Sequence, residues 1–164
     1  MNRRFSDFSL KEKFFLLFST GFFCGYFPFA SGTFASFIAI IIYFIIPGIE
    51  EPLINFLAVT IFFIVGIFSS NFSEKIYGFD PPEIVIDEIT GMWLTMLFIP
   101  KTLFLSSIGF VLFRFFDIIK PYPAKQFQNL KGGIGIMLDD IVAGFYSNLI
   151  LHLLLVIYPE IKVL

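Results

Sequence analysis

The sequence predicts an all-α fold: a small polytopic, membrane-embedded helical bundle with broken or re-entrant helices. Three observations carry that expectation. Of the 164 residues, 57% are hydrophobic and only 15% charged, where an ordinary soluble domain holds roughly a quarter charged residues. The mean hydropathy is +0.89, and 26 residues are phenylalanine. The apolar residues gather into five runs, 14–30, 34–46, 53–69, 92–113 and 141–158. A net charge of −2 with no basic block argues against a nucleic-acid partner, and this composition excludes a disordered or collagenous chain. Length and the lack of a linker point to a single domain over residues 1–164.

A helical membrane span needs about 20 apolar residues. Runs 53–69 and 141–158 come close to that and carry no internal charge. Run 14–30 contains Gly21, Gly25 and Pro28, which predicts a broken or interfacial helix. Run 92–113 is interrupted at Pro100-Lys101, leaving pieces too short to cross separately; it reads as a hairpin of two half-helices that enters and returns. Arg3, Arg4, Lys11 and Lys13 precede the first run and place the N-terminus in the cytoplasm. If run 14–30 does not cross, run 34–46 exits, Glu50-Glu51 lies outside and run 53–69 returns. Segments 70–91 and 114–140 then share the cytoplasmic face, with nine of the eleven basic residues. A cleaved signal peptide ending near Ala30-Ser31-Gly32 is disfavoured, because the chain stays apolar beyond that point.

Cysteine and histidine chemistry is limited. Cys24 is the single cysteine, and position 30 of a Cys-x5-Arg phosphatase motif is Ala30. His152 is the single histidine and lies in an apolar run, so any mechanism that needs two histidines is excluded.

Charge concentrates in the two polar segments. In 80–91, Asp80 is a candidate N-cap with Pro81 in the first turn and Glu83 at the capping-box position. Asp87-Glu88 lack such an explanation: they sit among Ile84, Val85, Ile86 and Ile89. Asp139-Asp140 repeat the pattern at the start of the last run. Gly91 follows Asp87 by four residues and Gly144 follows Asp140 by four, so each acid shares a helix face with a small residue. That predicts acids facing a close helix–helix contact. An ionised carboxylate at membrane depth costs about 2.5–3.5 kcal/mol and marks function. Four clustered acids would repel one another unless a cation sits among them, and hard carboxylate oxygens suit Mg²⁺. The competing reading is a solvated acidic rim.

Arg114, Asp117 and Lys120 follow at steps of three. They form either a phosphate-binding face or a surface ion-pair strip. Gly132, Gly133 and Gly135 precede the last helix, whose free N–H groups could hold an anion. Ser31-Gly32-Thr33 reads as a turn and cap or as a source of phosphate-binding hydroxyls.

Together, 80–91 (DPPEIVIDEITG), 113–123 (FRFFDIIKPYP) and 131–144 (KGGIGIMLDDIVAG) resemble the phosphatidylglycerophosphatase A family. The segment 25–36 (GYFPFASGTFAS) is similar to that family's N-terminal motif, with Ser31 replacing its proline and Ala35 a glycine, while Thr33 and Ser36 remain. The resemblance implies a Mg²⁺-dependent lipid phosphatase of the bacterial inner (cytoplasmic) membrane, multi-pass, with its active site on the cytoplasmic face. Its substrate would be a phospholipid in the bilayer, phosphatidylglycerophosphate, converted to phosphatidylglycerol. By motif, Asp87, Glu88, Asp139 and Asp140 would be the catalytic and metal-binding acids, with Asp80 and Asp117 as further metal candidates. Arg114, Lys120, Thr33, Ser36 and Lys131 would bind substrate phosphate. Metal-assisted water attack is the expected chemistry, since no D-x-D-x-T nucleophile motif is present. The spaced signature of CDP-alcohol phosphotransferases is missing. A small cation transporter or channel subunit is the non-enzyme alternative, and it predicts acids near the bilayer midplane.

Overall fold

The computed structural model describes residues 7–163; Arg3 and Arg4, which enter the orientation argument, lie outside the described residues. Among these there are seven α-helices and no strand. They are α1 (Leu10–Ser19), α2 (Ser31–Ile45), α3 (Pro52–Tyr77), α4 (Ile86–Thr95), α5 (Leu103–Ile119), α6 (Ala124–Gln128) and α7 (Gly133–Ile157).

α1 opens on a capping box. The Ser9 hydroxyl accepts from the Glu12 N–H at 3.4 Å, and the Glu12 carboxylate accepts from the Ser9 N–H at 2.8 Å. It stops where Gly21, Phe22 and Phe23 take φ of 55, 53 and 72°, and a 3-10 turn follows at Cys24–Tyr26. This is the break that the glycines and Pro28 predict. Its purpose is contact: Gly25 lies so close to the Glu83 carbonyl that a Cβ has no room, and the Val85 N–H donates to Ser19 O at 2.9 Å. The break therefore cradles the strand of chain that leads into acidic α4.

α3 and α7, at 26 and 25 residues, reach about 39 and 37 Å at 1.5 Å per residue, more than a ~30 Å hydrocarbon core. Only 28% and 33% of their most apolar windows are buried. Both helices are long and apolar enough to cross a membrane, with Ile61, Phe68, Leu153 and Val156 exposed along them. Between them the packing is close. Gly66 lies under the Met137 side chain, and Gly133 sits against the Ile67 carbonyl.

Three expectations need correction. Asp80 does not cap a helix: residues 78–85 are irregular and α4 begins at Ile86 with Val85 as its N-cap. The Pro82 ring disfavours helical backbone at Pro81, so the pair forms a turn closed by Ile84 N–H to Pro81 O at 3.1 Å. Secondly, α7 starts well before run 141–158. Gly133 and Gly135 lie inside it, only Gly132 is the cap, and the Gly132 N–H is already taken by the Glu74 carboxylate at 3.0 Å. Similarly, Ser31-Gly32-Thr33 is the first turn of α2, capped by Ala30 in left-handed conformation.

The α4–α5 hairpin exists, with Pro100-Lys101 in its turn, but its halves are unequal. α4 has 10 residues and α5 has 17. Lys101 at the tip donates to Ile46 O at 3.2 Å and pairs with Glu50 at 2.9 Å. The tip thus meets the α2–α3 connection, at the opposite end of α2 from the acids. α4 can stop inside the bundle because Asn148 of α7 donates to Thr95 O and Leu97 O at 3.0 and 2.7 Å. Without such a partner those carbonyls would be unsatisfied in an apolar surround.

Candidate active site

α4 and α7 cross at two glycines. A Cβ on Gly144 would lie 2.5 Å from Gly91 O, and one on Gly91 would lie 2.8 Å from Asp140 O. The acid-then-glycine spacing in the sequence is the cause: each acid sits one turn from the crossing, on the face that meets the other helix. The first turn of α4 and the second turn of α7 are thereby brought together. Asp87, Glu88 and Asp140 each offer a carboxylate oxygen, and these three atoms lie within 4.8 Å of one another.

Among the described residues, none of the three carboxylates forms a direct ion pair. Asp87 Oδ1, Glu88 Oε2 and Asp140 Oδ2 are buried with no hydrogen-bond partner among the described residues. The direct ion pairs of the nearby cations go to Asp117 and Asp139. Arg114 Nη1 pairs with Asp117 Oδ2 at 2.7 Å and donates to the Ser36 hydroxyl at 3.4 Å. Lys120 pairs with Asp139 and, at 3.7 Å, with Asp117 Oδ1. Burial opposes a charge on Lys120, but the carboxylates of Asp140, Asp139 and Asp117 outweigh it and raise its pKa above the usual lysine value. The Lys120 backbone takes a left-handed conformation with φ of 49°.

The acids thus divide. Asp139 faces Lys120 and also accepts the Asp140 N–H at 3.1 Å, so it stands apart from the three-carboxylate group. Asp117 bridges Arg114 and Lys120. Asp80 is exposed and accepts from Gln128 Nε2 at 3.0 Å, on the rim. Lys131 is exposed, and no described contact joins it to the cluster. Thr33 lines an apolar groove with Phe34, Phe37 and Phe110. Ser36 is buried and donates to Gly32 O at 2.8 Å. Gly32 is a tight point: a Cβ there would collide with the Glu88 carboxylate and lie 3.3 Å from Arg114 Nη1. α2, α4, α5 and α7 all converge here.

The donor set fits a hard divalent cation. Three carboxylates close together, each with a buried oxygen that lacks a hydrogen-bond partner, make an oxygen donor set that suits Mg²⁺. Arg114 Nε is likewise buried without a partner, a donor left for an anion. The sequence reading missed Asn148 and Glu74; a lone amide and a lone acid facing helix ends were the available signals.

A family model described as Phosphatidylglycerophosphatase A matches residues 17–155. A Bacteroides thetaiotaomicron protein named "Putative phosphatidylinositol-3-phosphatase" is 38% identical over 143 residues, covering 83% of this chain and 90% of that protein. Phosphatidylglycerophosphatase A of Escherichia coli K12 is 37% identical over 139 residues, 83% of this chain and 80% of its own length. The Haemophilus influenzae protein of that name is 40% identical over 73 residues, 43% of this chain and 45% of its length. No solved structure matches significantly. The family match runs from α1 into α7 and takes in every helix that builds the carboxylate site; the chain belongs to the phosphatidylglycerophosphatase A family of lipid phosphatases.

Proposed function

We propose that the chain hydrolyses the terminal phosphate of phosphatidylglycerophosphate to give phosphatidylglycerol, using a Mg²⁺ ion held by Asp87, Glu88 and Asp140. The observation that carries the reading is the trio of buried, unpartnered carboxylate oxygens beside Arg114, whose buried Nε–H has no partner among the described residues. When bound, the ion would supply Lewis-acid polarisation of the phosphoryl oxygen and a more acidic water. Arg114, fixed by Asp117 and Ser36, presents its guanidinium fork to the phosphate oxygens. Lys120, held by Asp139 and Asp117, keeps a second positive charge beside the charge that builds up on those oxygens. Water attacks phosphorus, the bond from phosphorus to the lipid's ester oxygen breaks, and the freed oxygen takes up a proton. A site carboxylate receives the proton that the water loses.

The bacterial inner membrane, with the carboxylates on the cytoplasmic face, is part of the same proposal. It rests on the basic residues gathered at the site end, among them Lys75, Arg114, Lys120, Lys125 and Lys131. The transporter alternative is not favoured: the acids lie near the ends of α4 and α7, not midway along them.

The relatives carry two headgroup names, so the test must separate them. Phosphate release by the purified protein is measured on phosphatidylglycerophosphate and on phosphatidylinositol 3-phosphate, each with and without EDTA. EDTA-sensitive release from the glycerol lipid, well above that from the inositol lipid, is expected. Preference for the inositol lipid would overturn the substrate assignment, and undiminished release in EDTA would overturn the metal.

A further inference from the structure

Two helices that meet at the site are not tightly closed against each other. α2 packs extensively on α4 but only sparingly on α5, and between α2 and α5 lies an apolar groove of about 280 Å³. It is lined by Thr33, Phe34 and Phe37 of α2, Phe110 of α5, and Phe27 and Phe29 of the segment before α2, with the Phe27 ring stacked on Phe34 at 4.1 Å. The groove neighbours the site along both helices: Thr33 lies one turn from Ser36, whose hydroxyl accepts from Arg114. Thr33 adjoins Gly32, which touches the Glu88 carboxylate, and Phe37 adjoins Ser36, which accepts from Arg114. Phe110 precedes Arg114 by one helical turn, on the same face. The rings of Phe37 and Phe110 meet edge to face at 6.4 Å. Phe37 remains half exposed to the surroundings of the bundle.

We propose that this α2–α5 groove seats one acyl chain of the diacyl phosphomonoester while its phosphate reaches Arg114 and the carboxylates. The proposal rests on the phosphatase reading above. A lipid substrate must deliver a dianionic group to a buried polar site without dragging its chains through that site. An apolar groove whose Thr33 and Phe110 each lie one helical turn from a member of the Ser36–Arg114 contact meets both requirements. A second apolar cavity, lined by Ile42 and Trp93 among others, contains no residue one helical turn from Arg114 or Ser36.

The test is labelling of the full chain in nanodiscs with a phosphatidic-acid-type phosphomonoester bearing a photoactivatable acyl chain, read by mass spectrometry. Adducts are expected on Phe34, Phe37 and Phe110. Unlabelled phosphomonoester lipid should suppress them severalfold, and phosphatidylcholine, a phosphodiester, should not. Arg114→Ala should remove the suppressible fraction, and Phe37→Trp with Phe110→Trp should move adducts out of the groove. Adducts spread evenly along α3 and α7, adducts at the Trp93 cavity, or groove adducts that phosphatidylcholine suppresses equally would overturn the proposal. Labelling does not depend on turnover. An active enzyme with evenly spread adducts would sink the groove alone, and specific groove adducts on an inactive protein would sink the phosphatase reading alone.

Discussion

Adjacent carboxylates in this chain do different jobs, because neighbouring residues on a helix point about 100° apart. Asp140 belongs to the unpartnered trio and Asp139 to the Lys120 ion pair. The sequence shows two acids side by side and cannot say which one faces α4; that choice depends on the α4–α7 crossing. Asp139→Asn should therefore leave Mg²⁺ demand near wild type while weakening the hold on Lys120, read as a raised KM for lipid. Arg114→Lys keeps the charge but loses the planar fork. It should cost roughly 10-fold or more in kcat/KM, about 1.4 kcal/mol or more of transition-state binding, with little shift in Mg²⁺ demand. His152→Ala should leave turnover unchanged: His152 lies three turns beyond Asp140 along α7, and any cost should show only as a lower Tm. Parallel kinetics in one detergent check all three, and a Mg²⁺ demand that follows Arg114 would contradict the division of labour.

At the scale of the helices, the site depends on how closely α4 and α7 approach. Gly91 and Gly144 leave no space for a methyl group, so Gly144→Ala should push the helices apart. A cost of about 1–3 kcal/mol is expected for overpacking, with a larger proportional loss of activity than of Tm. Asn148→Leu should destabilise by about 1–3 kcal/mol by leaving α4 carbonyls unpaired, with Mg²⁺ demand unaltered. Thermal unfolding in detergent measures both. These two residues also mark what was legible in the sequence. The acid–glycine spacing is a local, periodic signal, and the crossing follows from it. The Pro100-Lys101 turn and the break at Gly21–Pro28 were equally legible, since both rest on backbone chemistry. The start of α4 was not: Asp80 and Pro81 look like a cap until Pro82 is counted against them. The early start of α7 was hidden because three glycines read as loop, whereas two of them, Gly133 and Gly135, admit the Ile67 and Leu130 carbonyls. Asn148 was silent because its partners lie more than 50 residues away.

Over the whole molecule, polarity is divided between two ends. The carboxylate site, the 78–85 segment and the 120–132 segment lie at one end; Glu50, Lys101 and the hairpin tip lie at the other. α2 separates them by 15 residues, about 22 Å, thinner than a ~30 Å hydrocarbon core. In a Cys24→Ser background, cysteines placed at Phe79 and at Gln126 should react with an impermeant reagent from the same side of a sealed vesicle, and one at Glu51 from the other. Opposite accessibility of Phe79 and Gln126 would refute the arrangement. The central claim is that Asp87, Glu88 and Asp140 hold the ion that catalysis requires. A Mg²⁺ titration of phosphate release from phosphatidylglycerophosphate, wild type beside Asp140→Asn, tests it most directly. The account predicts that Asp140→Asn, nearly the same in size but without the charge, abolishes turnover or restores it only at far higher Mg²⁺. Wild-type turnover at wild-type Mg²⁺ in Asp140→Asn would contradict it.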